Sequence, residues 1–338
     1  MDAGQPSGAS QDISQLVECS NYYLGMSIAN NTRRNYSAAV EAYHTFCNTH
    51  NLVPFPPTEH ILILFATHIA SFSSHSNVKV HLAAIKHNSI IDGQNVPFRD
   101  FERLYLLMRG IKRAQGRLHS VPKRLPITPH LLRIMNTNLF NSSRRFEDKV
   151  MLWAAITTAF FGFLRVSEYT SARKTTFDPN STLLFSDVRI RNDSVRLNIK
   201  TSKTDPFRQG VTVRLEANNT AVCPVNALRL YLSLHPTKSG PLFTFHNKTY
   251  LSRADLNHTL RDTSNGLANI SSHSLRIGAA STAAAMGCPK YLIQSMGRWT
   301  SDCFRRYIRI SDNTIRSTSR ALAKCNIPVD QHFDPHTQ

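Results

Sequence analysis

Residues 146–164, FEDKVMLWAAITTAFFGFL, constrain the fold of this chain more than any other stretch. Val150, Leu152, Trp153, Ile156, Phe160 and Phe161 place apolar side chains nearly all round a helix, so the segment has no side to offer to water and belongs at the centre of a domain. Membrane insertion is a poor alternative. The segment is short for a span and carries Thr157 and Thr158, and the other long apolar run, residues 61–70, contains His68. A single cation, Arg165, follows the central helix and is therefore expected to be held rigidly at its end.

The segments around it read as one domain covering residues 127–325. Thr128-Pro129 is an N-cap followed by proline at the first helical position, opening a helix to about residue 138. Residues 183–190, 195–199 and 211–215 alternate apolar with polar, and the turns Asn192-Asp193 and 204–210 separate them, giving a small antiparallel sheet. Cys223-Pro224 opens a helix to Leu234. A short strand at 242–245 and a helix at 251–260 follow. Helices are then expected from His273 to Met286, at 291–296, at 304–310 carrying Tyr307, and at 314–324, with a turn at Gly297-Arg298-Trp299.

The N-terminal part is entirely helical in pattern. Residues 1–11 are small and polar and are expected to be disordered. Helices are expected at 13–28; from an Asn31-Thr32 cap, with Tyr36, Ala39, Val40, Tyr43, Phe46 and Cys47 as the buried stripe; from a Thr58 cap to about residue 71; at 78–90; and at 98–114. Residues 12–116 thus form one helical unit. A basic linker with prolines, 117–126, joins it to the second domain, and 326–338 are a tail. The fold class is mainly α with a small antiparallel β-sheet.

Forty Lys and Arg against 22 Asp and Glu leave a formal charge of +18, which favours a polyanionic partner. Between Arg109 and Arg133 there are seven basic residues and no acidic one. Arg33, Arg34, Lys79, Lys86, Lys112, Arg113, Arg117, Lys123 and Arg124 are the candidate phosphate contacts. The six cysteines are scattered without a C-x-x-C pair, and the fifteen histidines come without H-E-x-x-H, so neither a disulfide framework nor a metal site is expected. The first 25 residues lack a signal-peptide pattern. An intracellular protein without a membrane segment, and without a cofactor, is the expectation.

His273 and Arg276 stand three apart, on one face of a helix. With Arg165 and Glu168, the hairpin Lys203, Trp299 and Tyr307, they supply cations, donors and a nucleophilic oxygen, the inventory for metal-free phosphoryl transfer. The order Arg165, Lys203, His-x-x-Arg, Trp299, Tyr307 resembles the tyrosine recombinase (phage integrase) family. The segments K-T-S-K-T-D-P-F-R-Q-G and G-R-W further resemble recombinases of the eukaryotic Ngaro, DIRS and Crypton mobile elements. The sequence departs from the family in having tryptophan where histidine is commoner, and in the slightly short spacing from Trp299 to Tyr307.

The resemblance implies a helical core-binding domain at 12–116 that clamps double-stranded DNA and an α+β catalytic domain at 127–325. It implies cleavage through a 3′-phosphotyrosyl link formed by Tyr307. Arg165 and Arg276 would hold the phosphate, Lys203 would protonate the leaving oxygen, His273 would assist proton transfer, Trp299 would donate to the phosphate, and Glu168 would orient an arginine. It also implies a homotetramer on two DNA sites, a C-terminal arm docking on a neighbouring protomer, a role in mobile-element integration or excision, and a nuclear location if the source is eukaryotic. Type IB topoisomerase activity, a domesticated DNA-binding protein without catalysis, and a helix-turn-helix regulator remain as alternatives.

Overall fold

The computed structural model describes residues 12–118, 124–201, 209–235, 239–310 and 312–322, and the chain divides into two compact units at Val121/Pro122. The first contains α1 (Ile13–Met26), α2 (Asn30–Thr49), α3 (Glu59–Phe72), α4 (His75–Ile91) and α5 (Glu102–Leu118). Tyr43, Phe46 and Cys47 of α2, Leu62, Phe65 and Ile69 of α3, and Val78 and Ile85 of α4 form its core. The Thr58 and Ser74 hydroxyls accept from the backbone N–H groups of Ile61 and Asn77, capping α3 and α4. α1 buries none of its residues.

Several boundaries differ from the sequence reading. α2 starts at Asn30, with Ala29 extended before it and no side-chain cap, so Asn31 and Thr32 lie inside the first turn. α5 starts at Glu102 rather than at residue 98, because the segment from Pro97 to Asp100 forms turns closed by Phe98 N–H to Val96 O and Asp100 N–H to Pro97 O. It also continues to Leu118, into the segment expected to be a linker.

The second unit is built on α7 (Phe146–Phe161), in which every residue from Val150 to Phe160 is buried. α6 (Pro129–Phe140) begins at the expected Thr128 cap, whose hydroxyl accepts from Leu131 N–H. The short α8 (Val166–Tyr169) follows α7. Strands β1 (Val188–Ile190), β2 (Ser194–Ile199) and β3 (Val211–Glu216) make an antiparallel sheet in the order β1-β2-β3, pairing Val188 with Leu197 and Val195 with Leu215. α9 (Pro224–Leu234), α10 (Arg253–Thr263), α11 (Ser272–Ala285), α12 (Lys290–Met296) and α13 (Asp312–Leu322) complete the unit. β1 is shorter than expected: Phe185–Asp187 is a 3-10 turn held by Leu184 N–H donating to the Asp187 carboxylate. Around Leu242 there are only isolated bridges, Leu184 with Pro241 and Thr244 with Tyr250.

The start of this unit is stitched to the helix that carries the His-x-x-Arg pair. Leu125 N–H donates to Asn269 O and Ile127 N–H to Ser274 O, and Ile127 is fully buried. A Cβ on Gly278 of α11 would fall on the carbonyl of Ile127. In an open helix, glycine to alanine gains about 1 kcal/mol of propensity; overpacking against backbone costs about 1–3 kcal/mol. Gly278→Ala is therefore expected to lower the denaturant midpoint of unfolding. A raised midpoint would show that the segment at 125–127 yields.

Candidate active site

α7 ends at Gly162, and the next residue, Phe163, takes a left-handed φ of 48°. Bulky residues rarely adopt this conformation. It turns the chain so that Arg165 becomes the N-cap of α8 instead of the last residue of α7, a correction to the expected helix running to residue 164. Glu168, 2% exposed, accepts from Arg165 N–H at 2.9 Å and from the Arg165 guanidinium at 3.1 Å. The predicted Arg165–Glu168 pair is thus formed.

His273 and Arg276 lie in the first turns of α11, and Arg276 is the largest fully buried side chain among the described residues. Its two terminal nitrogens donate to the carbonyls of Phe163 and Gly297. Its guanidinium lies 4.3 Å from the Trp299 ring centroid and 5.7 Å from that of Tyr307. Its Nε and the Trp299 Nε1 are buried without a partner in the described structure. Two unpaired donors on adjacent groups are costly unless an acceptor joins them.

Tyr307 follows the 3-10 turn Asp302–Arg306, which replaces the α-helix expected at 304–310. Ser301 caps that turn and Phe304, 1% exposed, anchors it. The Tyr307 ring sits 5.0 Å from the ring of His273 and 4.9 Å from that of Trp299. Its carbonyl accepts from the Ser281 hydroxyl of α11 at 3.1 Å, and Ser281 accepts in turn from Arg309 N–H. Trp299 lies across Gly297, where a Cβ would collide with the indole.

Arg298, which the sequence reading left as a turn residue, also belongs to the site. Its φ is 53° and its side chain is 10% exposed. It donates to Gly162 O at 3.1 Å, Phe163 O at 3.3 Å and Glu168 Oε2 at 2.8 Å. Two guanidiniums thus bind one carboxylate, and the third, that of Arg276, is close enough to feel its charge. Burial, then Arg165 and Arg298, lower the pKa of Arg276; burial, then Arg165, lower that of Arg298, against the raising effect of Glu168. Both side chains stay protonated at neutral pH, so the site carries an excess of positive charge that an anion would relieve. Burial, then the charges of Arg124, Arg276, Arg253 and Arg309, push His273 down to about 4.

Lys203 lies outside the described residues. Its neighbour Lys200 is committed elsewhere, pairing with Asp187 at 2.8 Å and donating to Pro179 O. Of the candidate phosphate contacts, Arg124 is exposed at the start of the second unit and close enough to act on His273. Arg33, Arg34, Lys79, Lys86, Lys112 and Arg113 are exposed on α2, α4 and α5 of the first unit, with Arg33 donating to Gly25 O. The side chain of Arg117 and the whole of Lys123 lie outside the described residues. Among the described residues no group of three His, Cys, Asp or Glu gathers to hold a metal, and no helix is long and apolar enough to cross a membrane.

No family model matches the sequence, and no curated protein matches it. Solved structures do match in fold. The site-specific recombinase XerH, in a post-cleavage complex with palindromic difH substrate, superposes with a TM-score of 0.61 at 15% identity over 86% of this chain and 79% of that one. The Tn1549 transposon integrase in complex with circular-intermediate DNA gives 0.56 at 13% over 90% and 98%. A lambda integrase dimer bound to a COC′ core site gives 0.54 at 13% over 88% and 77%. The chain has the tyrosine recombinase fold.

The depressed His273 pKa makes a testable statement about stability. Between about 4 and the ordinary 6.5, the unfolded chain binds more protons at this site than the folded one. The His273 contribution is therefore complete above pH 6.5 and is lost as the pH falls towards 4. His273→Asn is expected to flatten that part of the acid limb, measured as urea midpoints at pH 7 and 4.5. An unchanged slope would place the acid sensitivity on other groups.

Proposed function

We propose that this chain is a tyrosine site-specific recombinase that cleaves and rejoins double-stranded DNA. The observation that carries the reading is the gathering of Arg165, His273, Arg276, Trp299 and Tyr307 from three distant segments into one cationic site, with the phenol against the imidazole and the indole. The fold and the DNA complexes of its structural neighbours support it, as does the +18 charge.

The Tyr307 oxygen attacks the scissile phosphorus, forming a 3′-phosphotyrosyl bond as the bond to the 5′ oxygen breaks. Arg165 and Arg276 stabilise the charge on the non-bridging oxygens, for which Arg276 Nε and the Trp299 N–H are unpaired donors. His273, neutral at pH 7, is suited to accept the phenol proton. Lys203 gives a proton to the leaving oxygen. A 5′-hydroxyl from a partner duplex then reverses the step. Assembly as a homotetramer on two sites, a mobile-element role of the Ngaro, DIRS or Crypton kind, and a nuclear location in a eukaryotic source extend the same proposal.

The test uses a duplex recovered by selection from randomised DNA, nicked beside the cleavage position so that the adduct accumulates. Wild-type protein is expected to form a covalent adduct and Tyr307→Phe none, with DNA binding retained. Arg165→Ala should slow cleavage by roughly 100-fold or more. Cleavage should survive EDTA, because the carboxylate of the site is already taken by two guanidiniums; binding should weaken steeply with salt as phosphate contacts release counterions. An adduct in Tyr307→Phe would overturn the assignment.

A second prediction separates Lys203 from Lys200. The 5′ alkoxide leaves poorly, because its alcohol is about as weak an acid as water. A bridging sulfur leaves as a thiolate of pKa about 8.5 and needs no proton. Lys203→Ala should cleave ordinary DNA slowly and the 5′-bridging sulfur duplex nearly as fast as the parent. Lys200→Ala, which breaks the Asp187 pair, should show no selective rescue. Rescue of Lys200→Ala alone would reverse the two roles.

A further inference from the structure

Arg298 donates to Gly162 O, Phe163 O and Glu168 Oε2 within this site, yet the reaction as described gives it no task. It closes the turn after α12 in a left-handed conformation, beside Gly297, whose carbonyl Arg276 uses. Its guanidinium spans the end of α7, taking the Gly162 and Phe163 carbonyls, and reaches Glu168 Oε2 at 2.8 Å. Glu168 Oε1 receives the Arg165 guanidinium at 3.1 Å. The Phe163 carbonyl is shared with Arg276. Arg298 therefore touches the partners of both arginines that would hold the phosphate.

We infer that Arg298 is a positioning residue for strand cleavage, an inference that rests on the recombinase reading: it neutralises and fixes Glu168 so that Arg165 stays available to the scissile phosphate. Glu168 is 2% exposed, and a buried carboxylate needs a cation. With Arg298 present that demand is met from the side of α7. Without it, Arg165 is the remaining guanidinium bonded to Glu168, and the carboxylate competes with the phosphate for it. The Phe163 carbonyl would also keep only Arg276. A clamp that merely stabilised the turn would predict loss of folding, with no dependence on the charge of Glu168.

That charge dependence is the test. Arg298→Met, Glu168→Gln and the double variant are compared in the full chain, by single-turnover cleavage of the nicked duplex, DNA affinity and thermal midpoint. Arg298→Met is expected to cleave about 100-fold more slowly, on the scale of losing one preorganised donor, with DNA affinity nearly unchanged. Adding Glu168→Gln should restore about tenfold or more, since removing both members of a buried pair costs less than removing one. Should Arg298→Met fail to fold, Arg298→Gln, which keeps a donor for one carbonyl, carries the same comparison with and without Glu168→Gln. Parental cleavage rates in the Arg298 variants, or a double variant no faster than the single, would overturn the inference and leave the recombinase reading standing. A parent that forms no adduct overturns both.

Discussion

The site depends on one carbonyl group. Phe163 O lies just beyond the C-terminal end of a helix that is buried on every side, and it receives both Arg276 and Arg298. Helix C-termini carry partial negative charge and unpaired carbonyls, so cations are favoured there. Two helix ends serve Arg276 in this way, α7 through Phe163 and α12 through its C-cap Gly297. This explains how a fully buried guanidinium is tolerated, since removing such an ion from water costs several kcal/mol without partners. The left-handed Phe163 is the local strain that aims the carbonyl.

The electrostatics follow from the same geometry. Glu168 is enclosed by Arg165 and Arg298, and the third guanidinium, Arg276, stacks beneath Trp299. Burial, and after it the unbalanced positive charge, lowers the arginine pKa values and holds His273 neutral, an arrangement that an anion would relieve. Preorganised charge of this kind needs no rearrangement as a phosphate gains charge in the transition state.

What could be read from the sequence was what repeats or adjoins. The all-round apolar pattern of 146–161 identified the central helix, and Thr128-Pro129 marked a cap that the structure forms. Arg165 with Glu168, and His273 with Arg276, are close in sequence and meet in space. Arg298 was missed because its signal is tertiary: an arginine between glycine and tryptophan in a turn is locally indistinguishable from a solvated one. It is internal because its left-handed backbone faces it towards α7, 130 residues away at Glu168. The strand expected at 183–187 failed for a comparable reason. Its alternation is genuine, but the Asp187 carboxylate captures Leu184 N–H and winds the segment into a turn, leaving Asp187 to hold Lys200.

The phenol and the arginines reach the site by different routes, which divides the site's dependence on the core. Arg165, Glu168 and the Phe163 carbonyl come from the turn after α7 and from the short α8 that follows it. Tyr307 comes from a five-residue 3-10 turn, fixed to α11 by Ser281 and packed through Phe304. α11 is itself tied to the start of the unit through Ile127 and Gly278. The Tyr307 phenol thus sits on a short, partly exposed element, while Arg165 and the carbonyl that receives Arg276 follow directly on the most buried one. Local opening of the turn costs far less than opening of the core. A change that loosens the Tyr307 segment would therefore withdraw the phenol while leaving the cationic site assembled; under the proposed function, binding and cleavage would then be lost separately.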